Sequence, residues 1–247
     1  LGLTDHDTTA GWSEAAQAAS ECGIALVRGA ELSTRTGSTS VHLLSYLHDP
    51  DDAALDAALT RSRTARVRRA EAIVTRLARD LSLTWEDVQA QVAPGATVGR
   101  PHIADALVAA GAAPTRDAVF AGILGDGSPY VVHYDVPTPA EMIALVLAAG
   151  GVPVLAHPFA HLRGASLDAE QIAALAAVGL AGIEVDHRDH DDSDRAALRG
   201  LGRELDLLVT GSSDYHGAGK LNRLGENTTA PEMLERLADL GRLEILR

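Results

Sequence analysis

The apolar positions of this chain follow two periods in turn. Short runs, continuous or alternating every second residue, fall at Ile24-Ala25-Leu26-Val27, Val41 to Leu47, Val152 to Ala156, Gly182-Ile183-Glu184-Val185 and Leu207-Leu208-Val209-Thr210. Runs of that length predict buried strands. Between and after them, residues 11–22, 139–150, 168–178, 191–205 and 231–240 predict helices. Strand and helix in repeated alternation indicate an α/β domain. The opening Leu1-Gly2-Leu3 reads as the end of one more buried strand. The Thr, Ser and Gly residues of 34–40 read as a hairpin leading into Val41.

The middle of the chain breaks this alternation. Leu55, Leu59, Ile73, Val74, Leu77 and Leu81 keep helical spacing through one long predicted helix over about 51–81. Thr84-Trp85-Glu86-Asp87 predicts a capping box for a short helix. Gly99-Arg100-Pro101-His102 opens another with proline in its first turn, and Thr115 caps a fourth ending near Leu124. No strand is predicted from 50 to about 128. Residues 51–127 are therefore expected to be a helical insertion, or cap, in a domain built from 1–50 and 128–247.

Composition narrows the function. Of the 247 residues 46% are hydrophobic, but with two Trp, four Tyr and two Phe the core must be Ala, Leu and Val. A net charge of −13 argues against a broad basic face for long nucleic acid, so any polyanionic substrate must be held locally. The single cysteine, Cys22, excludes a disulfide framework or a Cys-rich zinc module. It is expected to fill core space on an alanine-rich helix. No apolar run has membrane-spanning length and no secretory leader is evident, so the reading is a cytoplasmic enzyme without membrane partners. Among 21 basic residues Lys220 is the only lysine.

The chemistry lies at the ends of the predicted strands. Thr4-Asp5-His6-Asp7 follows the first apolar run, and on its own could be a simple Asx turn. The same pattern then recurs at Glu31, His42, His157, Asp186/His187 and Asp214/His216. In barrels of alternating strands and helices, active sites collect at the C-terminal strand ends. Imidazoles and carboxylates without thiolates suit Zn, Mn or Fe better than Mg or Ca alone, and so large a set suggests two or three ions.

Thr-Asp-His-Asp, Gly-Ala-Glu-Leu-Ser, Ala-His-Pro and Gly-Ser-Ser-Asp-Tyr-His resemble, in order and spacing, the metal motifs of the PHP (polymerase and histidinol phosphatase) superfamily. With the insertion bearing Gly-Arg-Pro-His, the chain is similar to its bacterial 3′,5′-nucleoside bisphosphate phosphatase and 5′-3′ exoribonuclease branch. The resemblance implies a distorted (β/α)7 TIM-like barrel with a trinuclear centre of divalent ions, manganese first, with zinc, iron or magnesium as alternatives. It implies that Glu31 bridges two metals and Asp214 completes the first. His42 and His157 would hold the second, and His6 and His216 the third. Asp5 and Asp7 match the motif; Asp7 is taken as the residue that supports the ligands or handles protons, and Asp5 as one that orients a ligand. The family's first motif, Asp-x-His-x-His, has no counterpart upstream of Thr4. A first strand and helix are thus expected to be missing, leaving one metal shell incomplete.

Arg100 and His102 open a helix whose amide groups favour an anion, and the resemblance makes them substrate-binding and catalytic. Lys220, in a glycine-rich loop, is a further candidate for substrate contact. The arginines of the long helix are mostly a solvated face, with one or two free to touch phosphate. His48, His133 and His161 are not first choices as ligands, and neither are His187 and His190, which follow the fifth predicted strand closely enough to support the ligands. The resulting expectation is hydrolysis of a nucleotide phosphomonoester, the 3′-phosphate of nucleoside 3′,5′-bisphosphates, or action on short 5′-phosphorylated RNA. The alternatives are a phosphatase for another small ester such as histidinol phosphate, or a non-catalytic binding barrel.

Overall fold

The computed structural model describes residues 1–37, 39–93, 96–125, 127–132, 135–160, 166–217 and 221–247. The chain divides into two compact units, Leu1–Leu59 with Pro137–Arg247, and Thr60–Val136. Among the described residues the strands are β1 (Gly2–Leu3), β2 (Val27–Thr36), β3 (Thr39–Tyr46), β4 (Val152–Leu155), β5 (Gly182–Asp186) and β6 (Leu208–Gly211). The helices are α1 (Trp12–Cys22), α2 (Ala53–Leu77), α3 (Trp85–Gln89), α4 (Arg100–Ala109), α5 (Arg116–Ala121), α6 (Pro139–Ala148), α7 (Ala169–Ala177), α8 (Asp192–Glu204) and α9 (Pro231–Leu240).

In the first unit the six strands form one mixed sheet in sequence order, and only β3 runs against the others. The sheet curls. At about 4.8 Å per strand, the edges of a flat six-stranded sheet would lie roughly 24 Å apart. Yet the rings of His6, just after β1, and His216, just after β6, have centroids 6.1 Å apart. Alternate residues of β3 and β4 feed two clusters on opposite faces of the sheet, Leu43 and Leu155 in one, Leu44, Val152 and Val154 in the other. Register pairs Glu31 with Leu44 and Ser33 with His42. Directly opposed residues share a face, so Glu31, Ser33 and His42 project to the same side as Leu44.

Two expectations need correction here. β2 is longer than its apolar run, extending to Thr36 and placing Glu31 in mid-strand, because Ser33 to Thr36 pair with Thr39 to His42. The reversal is confined to the residues around Gly37, whose φ of 57° suits glycine. Cys22 ends α1 and is exposed, so it fills no core.

The second unit is helical with a core of its own, in which Ile73, Leu77, Val88, Ile103, Leu107 and Val119 are buried together. Thr84 caps α3 through a reciprocal capping box with Asp87, and Thr115 caps α5 by accepting from the Ala118 amide. Two arginines of α2 are structural. Arg69 donates to the Val132 carbonyl at 2.7 Å, and Arg76 to the carbonyls of Pro129 and Val131. No helix of the described residues is long and apolar enough to cross a membrane.

Candidate metal centre

Glu31 is the focus of the site. It lies in mid-β2, 6% exposed, and three imidazoles from three other segments converge on its carboxylate. His42 Nδ1 approaches Oε1 to 2.6 Å, His157 Nε2 approaches the same oxygen to 3.3 Å, and His6 Nδ1 lies 3.8 Å from Oε2. His6 faces Glu31 because the segment after β1 continues to pair with β2, the Asp7 amide donating to the Glu31 carbonyl and the Glu31 amide to the Asp5 carbonyl. Burial pushes the Glu31 carboxyl up. The charges of His6 and His42 and the contacts from His157 and His42 outweigh that and hold it well below the usual carboxylate range.

Three residues of the site turn in the left-handed backbone region: Asp7 (φ 56°), His157 (φ 29°) and Asp214 (φ 46°). Such conformations are uncommon outside glycine and are kept where surroundings over-determine them. For Asp7 the brace is Ser33, whose amide donates to Oδ1 at 2.8 Å and whose hydroxyl donates to Oδ2 at 2.7 Å. For His157 it is Glu184 on β5, whose Oε2 accepts from the His157 amide at 2.9 Å. Burial raises the Glu184 carboxyl, with His157 and His187 opposing in part. His190 adds a second hold. Its Nε2 accepts from the Phe159 amide, and its Nδ1 donates to the Val185 carbonyl.

Asp214 and His216 follow β6. His216 Nδ1 donates to the Asp214 carbonyl at 2.8 Å, leaving Nε2 with its lone pair, as ligation through Nε2 requires. The Asp214 carboxylate lies between His216 (Nδ1 to Oδ1, 3.2 Å) and His187 (Nε2 to Oδ2, 3.7 Å). Ring centroids spaced 5.0 to 5.4 Å link His6 to His42, His42 to His157, His157 to His187, and His187 to His190. Asp186 stands apart from this cluster, in an ion pair with Arg199.

The donor set fits a divalent cation. His6, Glu31 and His42 each offer a ligand atom, all within 4.8 Å of one another. The His42 Nδ1 contact, though short, lacks hydrogen-bond alignment. Two donor atoms placed close together but not aimed at each other are arranged to share a third centre. Mixed imidazole and carboxylate ligation suits a borderline transition metal.

The sequence candidates outside this cluster belong mostly to the helical unit. Arg100 and His102 open α4, with Gly99 as N-cap and Pro101 in the first turn. His102 Nδ1 accepts from the Gly99 amide at 3.1 Å, so its neutral ring presents Nε2–H as a donor. Burial lowers the His102 pKa, and Asp105 opposes that in part. The Arg100 guanidinium sits over the Phe120 ring, 5.9 Å from its centroid. Lys220, His133 and His161 lie outside the described residues. Sequence reasoning gave no role to Ser33 and Glu184, and it placed His187 and His190 beside the site as supporting residues, where the structure has them. The only signal was a buried Glu within the apolar run of β5 and two histidines following it.

Curated relatives match the chain along most of its length. It is 32% identical over 226 residues to the 3′,5′-nucleoside bisphosphate phosphatase of Chromobacterium violaceum, covering 90% of this chain and 79% of that one. The chain belongs to that phosphatase's family. A 5′-3′ exoribonuclease of Haemophilus influenzae is 31% identical over 230 residues, covering 92% of this chain and 82% of its own. Among solved structures, a protein of Bifidobacterium adolescentis described as a "putative metal-dependent phosphoesterase" superposes with a TM-score of 0.93 at 43% identity, over 97% of this chain and 85% of that one. No protein-family model matches the chain. The named activities of these relatives are hydrolyses of phosphate esters.

Proposed function

We propose that this chain is a metal-dependent phosphoesterase of the PHP superfamily, its curled sheet a version of the distorted (β/α)7 barrel, acting on nucleotides. The preferred substrate is the 3′-phosphate of a nucleoside 3′,5′-bisphosphate, with short 5′-phosphorylated RNA as a related one. The observation that carries the reading is the convergence of His6, His42 and His157 on the buried carboxylate of Glu31, in a chain related to a phosphatase of that specificity.

In this reading Glu31 would be shared between two ions, Asp214 would help hold the first, His42 and His157 the second, and His6 and His216 the third. Two or three divalent ions, manganese foremost, would supply charge stabilisation of the phosphoryl group and an activated water. The chain's own residues do the rest. His102 offers its Nε2–H, and Arg100 its guanidinium, to phosphate oxygens, with Lys220 as a further cation. Asp7, buried and held by the Ser33 amide and hydroxyl, orients the segment bearing His6 and is the residue assigned to handle protons. The net charge of −13 accords with small phosphorylated partners and not long nucleic acid, and the setting is cytoplasmic.

The test is metal analysis of the purified protein followed by a substrate panel. Phosphate should be released from adenosine 3′,5′-bisphosphate with kcat/KM at least about tenfold above that for histidinol phosphate. Equal or inverted preference would move the protein to a different phosphatase class. Protein that retains no divalent ion and turns over neither substrate would be a binding barrel.

A further inference from the structure

The loop after β5 carries a buried histidine whose tautomer is set by the backbone. His187 is 0% exposed, and the Asp189 amide donates to its Nδ1 at 3.0 Å. An amide N–H can only donate, so Nδ1 holds a lone pair and the ring proton sits on Nε2. A ring in that state cannot ligate a metal through Nε2. That N–H is buried and makes no hydrogen bond among the described residues, and its nitrogen lies 3.7 Å from Asp214 Oδ2. A buried donor left without an acceptor is costly and calls for explanation. The ring has little freedom to turn elsewhere. It packs between His157 and His190, with centroids 5.3 and 5.4 Å away, and Arg195 Nη2 donates to the His187 carbonyl at 2.9 Å.

We propose that His187 is a positioning residue for Asp214, an Nε2–H donor that closes onto Oδ2 and fixes which face of the carboxylate meets the metal centre. His216 Nδ1 lies 3.2 Å from the other oxygen, Oδ1, so the two imidazoles bracket the group. Catalytic hydrogen bonds are commonly long in ligand-free proteins and shorten on loading. The inference rests on the phosphoesterase reading only for what Asp214 does once oriented.

Two measurements test it. Nitrogen-15 NMR of the imidazoles in metal-free protein should assign His187 as the Nε2–H tautomer, and an Nδ1–H tautomer would overturn the proposal. Metal retention against a chelator should fall about 10- to 100-fold in His187→Leu, the usual effect of removing a ligand's hydrogen-bond partner. It should largely recover in His187→Gln, whose amide can still donate. Wild-type retention in His187→Leu, or equal loss in both variants, would reduce the residue to packing and sink the idea. Wild-type protein that binds no metal would instead refute the metalloenzyme reading, with the tautomer still deciding the fate of His187.

Discussion

Glu31 is ionised in a place where burial opposes ionisation, and the neighbouring imidazoles reverse the balance. Glu31→Gln keeps the shape and removes the charge that, in the proposed reading, would let one side chain serve two cations. We expect bound metal to fall and kcat/KM to drop more than about 100-fold, read by elemental analysis and steady-state kinetics. Wild-type metal content in that variant would remove Glu31 from the centre. A second residue, far from this chemistry in role, bears on stability. His48 is buried, its Nδ1 2.8 Å from the Ser45 hydroxyl. Burial lowers its pKa, with the Ser45 carbonyl, Asp49 and Asp52 opposing in part. The unfolded chain therefore takes up this proton first. Stability is fully present above about pH 6.5, the ordinary histidine value. It declines as pH falls from there toward the depressed folded pKa, by at most about 1.4 kcal/mol per pH unit for one proton. Urea titrations from pH 7 to 5 should show a shallower decline in His48→Gln than in wild type, and parallel curves would exonerate His48.

At the level of elements, the site depends on strands that end abruptly in left-handed residues and on neighbours that hold them there. Ser33 illustrates the dependence, since β2 reaches across to brace the turn after β1. Ser33→Ala removes the hydroxyl bond to the Asp7 carboxylate and should cost about 1.5–3 kcal/mol in denaturant titration, as for other hydrogen bonds to charged groups. Unchanged stability would mean that the Ser33 amide alone holds Asp7. The α/β alternation, the helices α2 to α5 and the caps at Thr84 and Thr115 were legible in the chain because periodicity and capping act over a few residues. His157, Asp214 and His216 were legible because strand ends collect chemistry, whereas Glu31 and His42, which lie within β2 and β3, stood out through the motif resemblance. The full length of β2 was not, since its polar half is a strand only through its pairing with β3. The braces were hidden for the same reason. Ser33 meets Asp7 across 26 residues and Glu184 meets His157 across 27, and nothing local announces either contact. Asp186 misled by position: a strand-end carboxylate looks like a ligand until Arg199, one helix later, claims it.

For the whole molecule, the division into two units with separate cores makes a separable prediction. Ile103 is fully buried in the helical unit and stands next to His102 on α4, so it supports the helix start that presents Arg100 and His102. Ile103→Ala leaves a cavity and should destabilise that unit by about 2–5 kcal/mol. None of the residues that converge on Glu31 belongs to it. Metal stoichiometry should therefore stay at the wild-type value at temperatures where the helical unit has begun to melt. The KM for adenosine 3′,5′-bisphosphate should rise at least several-fold if, as proposed, Arg100 and His102 bind phosphate, because their helix start is no longer held. Melting followed by circular dichroism, with metal content measured on the same samples, distinguishes the outcomes. Loss of metal in step with the helical transition would mean that the two units unfold as one. An unchanged KM would separate Arg100 and His102 from substrate binding.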